Sequence, residues 1–274
     1  MLEICKELRK AEERAWVVGG CVRDTLLGER VNDWDVATTA LPEKVQQVFD
    51  RVIPTGIDHG TVTVLWRGGA YEVTTLRGEG DYSDGRRPDN VVFVRDIDHD
   101  LARRDFTVNA IAYDPVDGHV VDPFGGLVDM REKVLRAVGD PSERFQEDGL
   151  RILRGARFVA TLDFELEEDT EAAFRGALDT FRKVSPERVR EEWLKAMKAR
   201  APSRAFEVMR RTGILEVTYP ELLEQVGCEQ NQWHAYDVWE HTMRVLDESD
   251  GGPVERVAAL LHDVAKPRTR AWSD

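Results

Sequence analysis

The sequence lacks any apolar run approaching the ~18–20 residues that a membrane-spanning helix requires. Its start, MLEICKELRKAEER, is charged throughout and does not read as a secretory signal. Cysteine is scarce. The three present, Cys5, Cys21 and Cys228, are far apart and odd in number, which argues against a disulfide framework and points to the cytoplasm. Internal repeats and low-complexity segments are absent as well. Positive charge is in deficit, with 38 Lys and Arg against 52 Asp and Glu, a net charge of −14. Taken as one number, that deficit counts against a nucleic-acid partner, because binding phosphate needs a positive face. The charge is unevenly spread, however. Residues 182–211 hold ten basic positions and four acidic ones, a local surplus of six. Such a basic segment beside an acidic remainder is a workable surface for RNA.

What the sequence does contain is enough apolar residue, 42%, to fill a core. The pattern predicts an α+β chain. Leu2, Cys5, Leu8 and Ala11 recur at helical spacing, and AWVV (15–18) reads as a buried strand ended by Gly19–Gly20. A compact helix follows and closes at Gly28, then NDWDVATT resumes an extended pattern. Pro42 suits the first turn of a helix through EKVQQVFD. HGTVTVLW (59–66) and AYEVTTL (70–76) flank RGG as a hairpin, and the segment after Arg77 reads as a loop rich in Gly, Asp, Arg and Pro. Beyond DPFGG (122–126) the spacing is helical almost without interruption, with helix starts at Ser185–Pro186–Glu187 and Pro202–Ser203.

The chemistry concentrates in VVGGCVRDTLLGERVNDWDVAT (17–38). Asp33 and Asp35 are one residue apart in a strand-like context, so period-2 alternation predicts both carboxylates on one face. Hard oxygen ligands so placed suit Mg²⁺, which takes one or two carboxylates together with substrate phosphates. The Gly19–Gly20 turn opens a helix whose free N–H groups, with Arg23, are suited to meet a triphosphate. A D-x-D alone is as readily a solvated surface pair. The combination with Gly-Gly and a basic helix is far more specific.

This strand, Gly-Gly, V-R-D helix and D-x-D series resembles the nucleotidyltransferase head of bacterial tRNA nucleotidyltransferases (CCA-adding enzymes) and bacterial poly(A) polymerases. PTGIDHGTVTV (54–64), YEVTTLR (71–77), DLARRDFTVNAIAYD (100–114), DPFGG (122–126) and RFQEDGLRILRGARF (144–158) continue the resemblance in the family's order. It implies a polymerase-beta-like head with a small mixed sheet, followed by an all-helical neck and body. The expected divisions are 1–138 for the head, 139–200 for the neck and 201–274 for the body. The implied reaction is template-independent addition of C and A, from CTP and ATP, to the 3′ end of tRNA, with no membrane involved.

The resemblance implies that Asp33 and Asp35 hold two Mg²⁺ ions. Glu72, on a neighbouring predicted strand, is a plausible third carboxylate; the alternative is a cross-strand ion pair. RRDFTVNA is expected to be helical, placing Arg104, Asp105 and Asn109 within little more than a turn, where Asp105 and Asn109 can meet a ribose 2′-hydroxyl. Asp148 and Arg151, three apart on an expected helix, would read the incoming base in place of a template, with Arg154 one turn further on. Carboxylate and guanidinium match the amine and ring acceptor of C or A, whereas G and U present a carbonyl instead. A plain i,i+3 ion pair is the alternative. Asp81 and Arg86 lie in the loop that the family associates with adding the final A.

A second resemblance lies at DVWEHTMRVLDE (237–248) and VAALLHDVAKP (257–267), which look like the start of an HD-type metal phosphohydrolase domain. His241, His262 and Asp263 would be its ligands, suited to a transition metal. A further downstream Asp is expected of such a site, so the reading here is a partial, vestigial module in an apparently truncated chain. His59, His99 and His119 lack ligand spacing. Within the transferase class, CC-adding and A-adding specialists stay open. A poly(A) polymerase is disfavoured by PTGIDHGTV where its relatives carry an arginine-rich stretch. An HD phosphohydrolase and a non-catalytic RNA-binding module are the other classes; the second is at odds with the retention of both Asp33 and Asp35.

Overall fold

A computed structural model describes residues 1–31, 33–78, 92–230 and 235–269. They fall into two compact units that change over between Asp140 and Pro141. No helix among the described residues is long and apolar enough to cross a membrane.

The first unit is a seven-stranded mixed sheet with short helices. Its elements are α1 (Leu2–Lys10), β1 (Ala15–Val18), α2 (Gly20–Leu26), β2 (Asp35–Thr38), α3 (Pro42–Val48), β3 (Val52–Gly56), β4 (Thr61–Trp66), β5 (Gly69–Thr75), α4 (Ile97–Ala102), β6 (Ala112–Asp114), β7 (His119–Val121) and α5 (Gly126–Glu132). The strand order is β3-β4-β5-β2-β1-β6-β7. Neighbouring strands run antiparallel except β2 and β5, which are parallel. The β4–β5 hairpin closes through Arg67 and Gly68, both at positive φ (48° and 84°), the backbone that a tight two-residue turn requires. Trp16, Val18, Ala37, Leu76, Leu101, Ala110 and Ala112 form a buried cluster that fixes the central strands against α4.

Two expectations about this unit need correction. α4 ends at Ala102, and Thr107–Asn109 is a single 3₁₀ turn, so RRDFTVNA is not a continuous helix. Backbone pairing explains the break, because Thr107 N donates to Arg136 O and Val138 N to Asp105 O. The strand β2 begins at Asp35, so Asp33 precedes it and strand alternation does not place the two carboxylates on one face.

The second unit is helical: α6 (Pro141–Glu147), α7 (Leu150–Leu162), α8 (Glu168–Gly176), α9 (Leu178–Phe181), α10 (Pro186–Ala196), α11 (Ser203–Thr212), α12 (Ile214–Thr218), α13 (Val238–Glu248), α14 (Pro253–Leu261) and α15 (Lys266–Thr269). α7 is central and packs on α10 and α11, with Ile152, Leu153 and Ala156 of α7 and Phe206 and Met209 of α11 fully buried. Edge-to-face contacts join Phe145 to Phe174 and Trp193 to Phe206, at 5.0 and 5.1 Å between centroids.

The expected helix through RFQEDGLRILRG is broken at Asp148–Gly149. The Asp148 carboxylate accepts from Leu150 N at 3.0 Å, a local bond that competes with continuing the helix. Gly149 lets the backbone of α9 approach, since a Cβ there would lie 2.4 Å from Phe181 N and 2.5 Å from its Cα. Neither backbone can yield to such contacts. Gly149→Ala is expected to destabilise the second unit by about 2–3 kcal/mol, through overpacking against main chain; urea unfolding measures the loss.

Candidate functional site

In the first unit the site is assembled at the end of β1, the start of β2 and the middle of β5. Parallel pairing sets Asp35 opposite Glu72, and antiparallel pairing sets Glu72 opposite Thr63. Glu72 thus has no basic residue as a register partner on either side. Burial raises the Asp35 carboxyl above the ordinary carboxylate range, the charges of Glu72 and Asp33 raise it further, and Arg104 partly offsets them. The three acids therefore share one electrostatic environment, which Arg104 partly balances. Their oxygens do not gather as tightly as the ligand group found in the second unit.

Next to them, Gly19 caps α2 at φ 77°, a left-handed conformation that costs glycine nothing. Its amide donates to Ile111 O, and its carbonyl accepts from Val22 and Arg23 N. The Arg104 guanidinium lies against its Cα, because a Cβ there would come within 2.6 Å of Arg104 Nη1. Arg104 donates through Nη1 to Asn109 O at 3.3 Å and through Nη2 to Asp100 at 3.2 Å.

Arg23 lies against the Gly19–Gly20 turn, with its Nη2 3.4 Å from where a Cβ on Gly20 would sit. It is buried, donates to Asn109 Oδ1, and pairs with Asp24 at 2.7 Å. Asn109 Nδ2 in turn donates to Asp105 Oδ1 at 3.0 Å. Arg23, Asn109 and Asp105 form one buried polar chain, brought together by the turn and the 3₁₀ segment rather than by a helix face. Asp81 and Arg86 lie outside the described residues.

In the second unit, Asp148 and Arg151 each have a partner other than one another. Arg188, on α10, donates to Asp148 Oδ2 at 2.9 Å. Arg151 Nη1 donates to Arg144 O at 2.7 Å and to Glu147 Oε2 at 2.5 Å, and Glu147 also accepts from Arg144. Arg188 and Glu147 were both missed by sequence reasoning. Glu147 is adjacent to Asp148 in the same motif and was legible there, whereas Arg188 lies 40 residues away and only the fold links the two. Arg154 lies 5.4 Å over the Phe158 ring.

Further along the second unit, His241, His262 and Asp263 bring their ligand atoms within 4.8 Å of one another. The two imidazole Nε2 atoms are 3.3 Å apart, and they stand 3.7 and 3.2 Å from Asp263 Oδ2. Lys266 Nζ donates to the same oxygen at 2.9 Å. Burial would raise the Asp263 carboxyl, but the hydrogen bond from Lys266 and the charges of His262, Lys266 and His241 hold it below the usual range.

Because Asp35 has a raised folded value, its ionised form weakens the fold at neutral pH, and the penalty fades as pH falls through that value. Asp35→Asn is therefore expected to melt higher than the wild type in chelator at neutral pH, with the gap closing toward about pH 4. Differential scanning at several pH values checks this.

A family model described as "Poly A polymerase head domain" matches residues 15–136, and one described as "Probable RNA and SrmB- binding site of polymerase A" matches 163–225. The CCA-adding enzyme of Lactobacillus johnsonii is 43% identical over 244 residues, which are 85% of this chain and 61% of that protein. The crystal structure of the Bacillus stearothermophilus CCA-adding enzyme in complex with CTP aligns with a TM-score of 0.75 at 34% identity, over 99% of this chain and 71% of that one. A tRNA nucleotidyltransferase complexed with a primer tRNA and an incoming ATP analogue aligns with a TM-score of 0.71 at 25% identity, over 95% and 75% of the two chains. The chain spans about 61% of the length of the curated relative it matches.

Proposed function

The chain belongs to the family of bacterial CCA-adding enzymes and poly(A) polymerases, and from that premise we propose that it adds C and A residues, from CTP and ATP, to the 3′ end of tRNA. The observation that carries this reading is the strand register that sets Asp35 against Glu72, with Asp33 also raising the Asp35 carboxyl and Arg104 partly offsetting both. A group of hard oxygen donors around the half-buried Asp35 is the set that a divalent cation such as Mg²⁺ takes, and we assign Asp33 and Asp35 as its ligands with Glu72 beside them. Held by Asp33 and Asp35, such a cation would supply Lewis-acid chemistry, lowering the pKa of the RNA 3′-hydroxyl and offsetting charge on the pyrophosphate leaving group.

The chain's own residues then bind and select. Arg104 is held at the Gly19–Gly20 turn to take triphosphate oxygens, and turn amides add N–H donors. Asp105 and Asn109 meet the ribose 2′-hydroxyl, and Arg23 fixes Asn109 so that its amide donates to Asp105. Asp148 and Arg151 read the base: an ionised carboxylate only accepts, so it takes the amine of C or A and leaves the carbonyl of G or U unpaired. Arg188 and Glu147 hold the two readers in place, and Arg154 assists in placing the substrate. Asp81 and Arg86 belong to the specificity loop of this reading. We keep residues 139–200 as the neck and 201–274 as the body, and the tRNA substrate places the activity in the cytoplasm. CC-adding, A-adding and poly(A)-adding variants of the reaction differ in products, which the test separates.

The test is primer extension on tRNA ending before CCA, after C and after CC, with CTP, ATP or both. Incorporation of CTP and ATP but not GTP or UTP is expected. Chelator should abolish it, and Asp33→Ala/Asp35→Ala should lower it by roughly a thousandfold, as expected when groups stabilising the transferring phosphate are lost. Equal use of all four nucleotides, or full activity in the double variant, overturns the reading.

A second reading rests on the convergence of His241, His262 and Asp263. We propose that they bind a transition metal, displacing the Lys266 ammonium that holds Asp263 in its absence. Titration with Co²⁺ should give a d–d absorption band at one equivalent in the wild type and none in His241→Ala/His262→Ala. An unchanged band in that variant rules the site out.

A further inference from the structure

Asp100 is almost fully buried, with 1% of its surface exposed, yet it belongs to none of the roles assigned above. Such a charge is costly unless several donors satisfy it. Its Oδ1 accepts from Arg103 Nε and Nη2, at 3.0 and 2.6 Å, and from the Arg77 amide at 3.2 Å. Its Oδ2 is left for Arg104 Nη2, at 3.2 Å. Arg104 stands beyond the C-terminal end of α4, where the helix no longer dictates its direction. Two contacts then fix the guanidinium: Asp100 on one side and the Asn109 carbonyl on the other. Between them it is pressed onto Gly19 and kept within electrostatic reach of Asp35. Its side chain stays 20% exposed, with N–H donors in excess of those two bonds.

We propose that Asp100 is a positioning residue for the nucleotide: it aims Arg104 at the Gly19–Gly20 turn, so that the triphosphate meets a preset guanidinium. The inference rests on the transferase reading above. Burial by itself would raise the Asp100 carboxyl, but the charges of Arg103 and Arg104, with the hydrogen bonds from Arg103 and the Arg77 amide, hold it below the ordinary range. It is therefore an anion throughout the working pH range, close to where an anionic ligand must bind. That gives the proposal a distinctive sign. If Asp100 acted only through its charge, removing the charge would tighten nucleotide binding. If it positions Arg104, the same change weakens binding although the site becomes more positive.

The experiment measures CTP affinity by calorimetry, with Mg²⁺ present, on the full chain carrying Asp100→Asn, Arg104→Gln or both, alongside the melting temperature of each. Asp100→Asn should weaken CTP by roughly tenfold, the scale of one charge-assisted hydrogen bond. In the Arg104→Gln background it should have less than about a twofold further effect, since the two act as one unit. A KM for CTP that rises more than kcat falls is expected in the same series. Asp100→Glu keeps the charge and moves the carboxylate by one methylene, so it serves if the Asn variant does not fold, and it too should weaken CTP. Unchanged or tighter CTP binding in Asp100→Asn, or in Asp100→Glu where that variant stands in, overturns the proposal, as do losses that multiply in the double variant. Absence of CTP binding by the wild type overturns the transferase reading and this inference together, whereas normal wild-type binding with an unaffected Asp100 variant overturns this inference alone.

Discussion

The parallel pairing of β2 with β5 forces Asp35 and Glu72 side by side, and the rest of the head is arranged around that repulsion. Like charges on adjacent strands destabilise a sheet. Here the charge is partly buried and a third acid, Asp33, adds to it. The Arg104 guanidinium offsets the excess without cancelling it. Arg104 can approach because Gly19 has no side chain, and it holds its direction because Asp100 and the Asn109 carbonyl anchor it. Stability given up at the acids is consistent with a site whose missing counter-charge arrives with its ligands.

Much of this was legible in the sequence where the signals are local. The Arg67–Gly68 turn, the strands flanking it, the Gly-Gly start of α2 and Pro42 at the head of α3 each follow from neighbouring residues. What escaped depends on distant ones. Helical spacing runs straight through Asp148 and Gly149, and only the approach of Phe181 reveals why the helix stops there. Helical spacing likewise covers Arg104 to Asn109, but that segment gives its backbone groups to Arg136 and Val138. Asp33 and Asp35 share the electrostatics expected of a pair, although they reach it from a loop and a strand end rather than along one strand.

The basic stretch at 182–211 also changes meaning once its partners are known. Arg188 pairs with Asp148, Lys195 with Glu192, Arg204 with Asp163 and Glu165, Arg210 with Glu207, and Arg211 with Glu171. Part of the local surplus is thus spent inside the second unit, pinning helices to one another. Lys183, Arg190, Lys198 and Arg200 form no ion pair among the described residues, and under the proposed function they are the cations left for phosphate. In that reading the charge relevant to RNA is theirs rather than the sum for the segment.

The clamp on Asp148 bears on how a protein can store a preference without copying it from a strand. One carboxylate oxygen is held by the Leu150 amide and the other by Arg188. In the proposed role, the reader is set before any nucleotide arrives, much as a letter is fixed in type. Its selectivity costs little ordering entropy at each round, because the ordering was done when the chain folded. The same rigidity limits it. While both bonds hold, the side chain cannot turn, so in that role a change of preference between C and A would come from moving the backbone at Asp148–Gly149 or from releasing Arg188.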